Sequence, residues 1–402
     1  MKNARFIAAA SAAALAVLST LAIADRFPEH ATFKTRVITP LQIEGLTADA
    51  AGNLYTGGRE ASPTPCPVWR ITGSTLTIVG LIPNPAACNP SGITFDAAGD
   101  LYIADGGAAA TVWKVKPDAA HPQTATAFAT GVPGTNGLAF DRDGNLWTGD
   151  GTTGQGRVWR IQGAGAVCDP MPNNLCMEVF RIQPMRNGAD LGGDIAGRGV
   201  GRENRTVPTE NAQNLVANGV AFTPDGDLYI ADTARGAIWK VEFDRRGNLK
   251  SRTGCDTTFT DNTLCLDNIF VAHPFLEGTD GIALDRAGNI WNSANERNAI
   301  VVVTRDRQVI EVFRNPANGA GLRNSADPLV ATAQANRHIL ETPTSPMLIG
   351  RTFCTANSDG NRRDNSPNDV GEINVNGPVG RRGKISCMDQ ELEIPGLRLP
   401  VR

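Results

Sequence analysis

After the first 25 positions the apolar residues of this chain stop forming long runs and begin to alternate with polar ones. Five segments share one pattern and align without gaps, starting at Glu44-Gly45, Ser91-Gly92, Asn136-Gly137, Asn218-Gly219 and Asp280-Gly281. After each glycine an apolar-x-apolar stretch predicts a strand with one buried face, because strand side chains point alternately to opposite sides. Four residues past the glycine stands Asp49, Asp96, Asp141, Thr223 or Asp285; seven past it stands Gly52, Gly99, Gly144, Gly226 or Gly288. An Asp-x-x-Gly-Asn/Asp step makes a tight hairpin, since Gly and Asn accept positive φ. Ten past the glycine an aromatic opens a second strand: Tyr55, Tyr102, Trp147, Tyr229 or Trp291. Third strands follow at 68–71, 112–115, 158–161, 238–241 and 300–303, four of them carrying Trp followed by Arg or Lys.

A four-stranded meander of roughly 45 residues is the unit of a β-propeller, in which a blade buries both sheet faces only by stacking on its neighbours. The fold expected is all-β: a six-bladed propeller of four-stranded antiparallel blades in one domain, with a seventh blade hidden in an insertion as the alternative. The spacing stretches between the third and fifth repeats, which predicts insertions near 163–213 and 245–268. The sixth blade is degenerate. Residues 348–354 read as its second strand and 383–387 as its third, with a polar loop from 357 to 378 holding Asp359, Arg362, Arg363 and Asp364. The early strand at 35–38 is expected to complete that blade and lock the ring, removing an exposed sheet edge.

Charge and cysteine usage narrow the setting. The net charge is −3 and no basic stripe occurs, which argues against a nucleic-acid or anionic-membrane partner. Lys2 and Arg5, the apolar stretch at 6–21 and Ala22-Ile23-Ala24 read as a signal peptide over residues 1–24, leaving a mature chain of 25–402 that is secreted or periplasmic and free of the membrane. The eight cysteines suit export and disulfides, and no C-x-x-C suggests zinc or redox chemistry. Eight cysteines allow many pairings; the sequential one, Cys66–Cys88, Cys168–Cys176, Cys255–Cys265 and Cys354–Cys387, is expected. A monomer is expected.

Familiar nucleophile and phosphate motifs are missing. There is no Gly-x-Ser-x-Gly, no His-Glu-x-x-His and no Walker loop; the Gly-rich 192–201 stretch lacks the phosphate-loop lysine. His30, His121, His273 and His338 stand in unrelated contexts. The position before each repeat glycine is more informative, because equivalent positions of successive blades lie on one ring around the axis. It reads Glu44, Ser91, Asn136, Asn218, Asp280. Two carboxylates and two amides at one channel mouth make an oxygen-rich site for a hard cation such as calcium, which takes six to eight oxygens. The competing reading is that these residues merely accept turn hydrogen bonds at strand entrances; Ser91 is expected to be structural.

At these residues the chain resembles the regucalcin, gluconolactonase and luciferin-regenerating-enzyme family. The resemblance rests on Ile43-Glu44-Gly45-Leu46, Ala217-Asn218-Gly219-Val220 and Thr279-Asp280-Gly281-Ile282, and extends over roughly residues 36 to 390. It implies a six-bladed propeller with one divalent metal held by Glu44, Asn218 and Asp280, with Asn136 touching metal or substrate. Leu46 and Gly134 depart from the family's usual Pro and from the Arg of its sugar-lactone members. The resulting expectation is a calcium-dependent hydrolase of a small-molecule lactone or related ester, with Asp280 catalytic and Asn136 substrate-binding. The alternatives are a non-catalytic propeller that binds a ligand or protein, and a propeller using the scaffold for lyase-type or strictosidine-synthase-like chemistry.

Overall fold

The computed structural model describes residues 27–28, 31–59, 65–83, 87–183, 217–254, 257, 259–276, 278–314, 339–340, 342–358 and 383–399. The signal segment, the 192–201 stretch, the loop with Asp359, Arg362, Arg363 and Asp364, and Cys255, His30 and His338 lie outside the described residues.

Each repeat forms one sheet, and six sheets complete the ring. The inner strands of the first five blades are Thr47–Ala48, Pro90–Phe95, Thr135–Phe140, Ala217–Phe222 and Thr279–Leu284. The repeat Asp explains the hairpin that follows. In the fifth blade Asp285 accepts the Ala287 and Asn289 amides on Oδ1, and the Asn289 side-chain amide and Trp291 Nε1 on Oδ2, at 2.8–3.2 Å. Asp141 holds Trp147 in the same manner, and Asp49 and Asp96 hold the hydroxyls of Tyr55 and Tyr102. The carboxylate therefore fixes the turn and anchors the aromatic that the second strand buries. In the fourth blade Thr223 takes the turn role alone, its hydroxyl accepting the Asp227 amide at 3.0 Å.

Six apolar clusters fill the spaces between neighbouring blades rather than one common centre. Tyr55 meets Phe95 across the first two blades, and Trp147 meets Phe222 across the third and fourth, both edge-on, the arrangement ring quadrupoles favour. Around the axis the inner strands approach too closely for a side chain at the repeat glycine. A Cβ on Gly137 would stand 2.5 Å from the Asn218 carbonyl oxygen, and one on Gly219 would stand 2.5 Å from that of Asp280. Buried hydroxyls stitch the same layer from blade to blade: Ser91 donates to the Thr135 carbonyl at 3.1 Å, Thr233 to that of Thr279 at 2.7 Å, and Thr344 to that of Glu44 at 2.7 Å.

The last blade is Pro343–Ile349, Thr352–Asn357, Lys384–Met388 and, outermost, Phe33–Ile38 from the N-terminal side. The closure expected from the sequence is present: Phe33–Ile38 runs antiparallel to Lys384–Met388. The expected second strand at 348–354 is divided. Ile349 pairs with Thr352 across a two-residue turn, and Gly350 takes φ +57°, so Leu348 and Ile349 end the inner strand while Thr352 opens the second. Within the stretch read as insertion, Cys176–Ile182 is the outer strand of the third blade, paired with Arg157–Ile161. Thr263–Leu264 adds in parallel to that strand.

Cys66–Cys88, Cys168–Cys176 and Cys354–Cys387 are disulfides. Cys265 is also disulfide-bonded, and among the described residues no cysteine is free. Cys66–Cys88 ties the third strand of the first blade to the segment entering the second, so it joins blades rather than closing a loop within one. The C-terminal tail crosses the axis where the inner strands end: Gly396 bridges to Asp285 and donates to the Gly350 carbonyl, while Leu397 and Leu399 line the apolar cavity there with Leu46, Ile93 and Val220.

Candidate functional site

The inner strands of a propeller all run the same way along the axis, so their first residues gather at one mouth. Glu44, Ser91, Asn136, Asn218, Asp280 and Thr344 occupy this ring and are all buried. The close backbone approach at the following position sets its radius: each repeat glycine faces the carbonyl of the next blade's ring residue.

A second tier stands behind the first. The residue fourteen past each repeat glycine, where the second strand returns to the mouth, is Arg59, Gly106, Gly151, Thr233 or Asn295. Pairing of Ile43 with Gly58 and of Thr279 with Ala294 carries Arg59 and Asn295 back beside the ring. Arg59 forms an ion pair with the Glu44 carboxylate. Asn218 donates its side-chain amide to the Thr233 hydroxyl at 3.2 Å. Asn295 donates to Asp280 Oδ2 at 2.9 Å. Gly151 leaves room for Asn136, since a Cβ there would stand 2.6 Å from its side-chain nitrogen. Three ring side chains are thus held by partners from their own blades, and a fourth by the absence of one.

Burial dominates the electrostatics. It pushes the Asp280 carboxyl up to about 7, against the Asn295 hydrogen bond, the Arg59 charge and a hydrogen bond to Asn218, which pull it down without cancelling the desolvation. These influences link three of the four expected ligands electrostatically: Asn218 lowers the Asp280 carboxyl, and the guanidinium paired with Glu44 is also felt at Asp280. Asn136 lies on the same ring, its backbone facing Gly92 and its side chain packed over Gly151.

Among the described residues no group of three His, Cys, Asp or Glu gathers, carboxylates included. The donors here are two carboxylates and amide oxygens, the set a hard cation takes. One further observation fits such an ion: Asn295 Oδ1 is buried at this site with no hydrogen-bond partner. Buried acceptors are normally satisfied, and an orphan beside a carboxylate suits a cation or a water bound to one. The described histidines stand elsewhere. His121 is exposed beside Asp118, and His273 accepts the Phe275 amide at 3.1 Å. Ser91 donates to the carbonyls of Ala104 and Thr135, as a structural residue does.

Gly134 has φ +70°, and the Asp150 carboxylate fills the space a Cβ would need, so no arginine fits two residues before Asn136. Arg59, Thr233 and Asn295 escaped the sequence reading. Their shared offset from the glycine was available there; their unlike chemistry concealed it.

Residues 200–320 match the profile of the SMP-30/Gluconolactonase/LRE-like region. The family likeness is to these proteins. The matched segment contains Asn218, Thr233, Asp280 and Asn295, two ring residues with the tier residues that hold them. Solved structures agree on the architecture. A luciferin-regenerating enzyme is 14% identical with a TM-score of 0.55, covering 91% of this chain and 97% of its own. Regucalcin from Agrobacterium tumefaciens, a calcium-binding protein, is 16% identical with a TM-score of 0.53, covering 94% and 98%. The PQQ-bound aldose sugar dehydrogenase of Streptomyces coelicolor is 13% identical with a TM-score of 0.55, covering 90% and 99%. At such identities the likeness is one of fold, and these names span different activities, so function has to be argued from the site. No curated protein matches the chain by sequence.

Proposed function

We propose that this chain is an exported, divalent-cation-dependent hydrolase of a lactone or related ester, with calcium as the ion. The observation that carries the reading is the ring itself: four oxygen-bearing side chains, Glu44, Asn136, Asn218 and Asp280, from four blades at one buried mouth. The gluconolactonase-type family match supports lactone chemistry. These four residues would hold the ion, whose Lewis acidity polarises a carbonyl and stabilises the oxyanion of acyl transfer.

The chain's own groups divide the remaining work. Asp280, fixed by Asn295, orients the attacking water and accepts its proton. Glu44 supplies the second negative charge, and Asn136 contacts the substrate. Thr233 accepts the Asn218 amide and leaves the amide oxygen available as a ligand. Export is supported by the signal-like N-terminus and the disulfides, and among the described residues no helix is long and apolar enough to cross a membrane.

The test has two arms. Calcium should raise the melting temperature of the chelator-stripped protein. A panel of lactones and esters should then be hydrolysed with calcium and spared with chelator, and Asp280→Asn, still folded, should be inactive. A protein stabilised by calcium yet inert across the panel would instead be a binding propeller. One indifferent to divalent cations would overturn the site assignment.

A further inference from the structure

Among the described residues of the second tier, Arg59 brings a charge to the ring. Its position is imposed by the backbone. The Ile43–Gly58 bridge and the hydrogen bond from the Arg59 amide to the Gln42 carbonyl at 2.8 Å hold it against the strand that carries Glu44. The guanidinium pairs with the Glu44 carboxylate while its side chain stays 22% exposed, so it reaches both the buried ring and the solvent at the mouth. Its charge also reaches Asp280, the second carboxylate of the ring.

The formal charges of these three groups point to a ligand. Without a metal, Glu44, Asp280 and Arg59 together carry a net single negative charge if both acids are ionised. A divalent cation among the carboxylates reverses that to a net single positive charge. Glu44 would then be shared with an ion of higher charge, and the guanidinium would lose part of its partner at a half-open mouth. A planar guanidinium in that position suits a carboxylate, which it grips through two parallel hydrogen bonds.

We propose that Arg59 is the specificity-determining residue of this site: it competes with the cation for Glu44 and selects substrates that carry a carboxylate beside the scissile lactone or ester. The inference rests on the proposed hydrolase reading and names the substrate class for it. An acidic substituent would meet Arg59 at the mouth, while a neutral analogue would leave the guanidinium without that partner.

The experiment compares wild type, Arg59→Gln and Arg59→Lys. Calcium affinity is measured by titration calorimetry, and KM is measured for a γ-butyrolactone bearing a carboxylate against the same lactone bearing the neutral carboxamide. Arg59→Gln should bind calcium about ten-fold tighter, because a like charge near the ion is gone. It should also lose the preference for the acidic lactone, chiefly through KM. Arg59→Lys should keep the charge competition and part of the preference. Unchanged or weaker calcium binding in Arg59→Gln overturns the proposal, as does an unchanged ratio of the two KM values. Melting in chelator checks the fold of each variant, and Arg59→Met replaces Arg59→Gln should that variant not fold. The wild-type titration separately decides the parent reading: no calcium binding there refutes the hydrolase site itself.

Discussion

Replacing Asp280 by Asn should make the metal-free protein more stable at alkaline pH. Burial raises this carboxyl from its ordinary 3.8 to about 7 in the folded chain, despite the Asn295 hydrogen bond, the Arg59 charge and Asn218. An acid whose folded value lies above its unfolded one binds protons more tightly when folded. Its contribution is therefore intact below about pH 4 and is lost as pH rises from about 4 to 7. A shift of about three units corresponds to on the order of 4 kcal/mol by pH 8, and to less than about 1 kcal/mol at pH 4. Asn keeps an acceptor for the Asn295 amide and carries no charge to desolvate. Urea unfolding with chelator, disulfides intact, should show Asp280→Asn and wild type converging near pH 4 and diverging toward pH 8 with the variant ahead. Taking the difference between the two proteins cancels the titrating groups that do not interact with Asp280. Calcium should then reverse the order, since an ion that binds only the folded state stabilises by mass action and the variant has lost a charged ligand. A difference that stays flat between pH 4 and 8, or a variant less stable at pH 8 in chelator, would refute the reasoning.

Three further outcomes follow from the same geometry. Asn295→Ala removes the donor on Asp280 Oδ2 and so raises the folded carboxyl further; in this background the divergence caused by Asp280→Asn in chelator should still begin near pH 4 but level off at a higher pH and reach a larger value. Asp285→Ala orphans the Trp291 indole and the Asn289 amide in a buried turn and should cost roughly 2–4 kcal/mol in urea melts; Asp244→Ala, in an exposed turn of the same design, should change little. Gly137→Ala forces a methyl against the Asn218 carbonyl and should lose roughly 3 kcal/mol together with calcium binding, whereas Gly144→Ala, with φ +83° and open space around it, should be milder and leave the ion site intact.

The blades were legible because the repeat marks every corner of the sheet. Gly marks the close approach at the axis, Asp the turn, and the aromatic the second strand. Where those marks fade, the reading slipped. In the last blade Ser345 replaces the glycine and Phe353 follows it by eight residues instead of ten. The hairpin there closes through two residues, where the fifth blade uses the five from 285 to 289, with Gly350 as its pivot, so an apolar stretch that reads as one strand is two halves of a turn. The hydroxyl stitching was hidden for another reason. It depends on hydrogen bonds between positions whose sequence separation says nothing about distance, such as Thr344 and Glu44, 300 residues apart.

The ring was legible through its adjacency to the glycine, while the tier behind it was not. Arg59, Gly151, Thr233 and Asn295 have no chemistry in common, yet they occupy one register and each answers a different need of the ring residue it faces. Glu44 is met by a charge, Asn136 by empty space, Asn218 by a hydroxyl and Asp280 by an amide. The glycines fix the radius of the mouth through backbone contact, so the side chains of the second tier are free to differ without altering the fold. Affinity and selectivity can therefore change at these positions while the six-bladed frame stays as it is. This separation of frame from tuning is what a scaffold needs if proteins as unlike as a calcium-binding protein and a sugar dehydrogenase are to share its architecture.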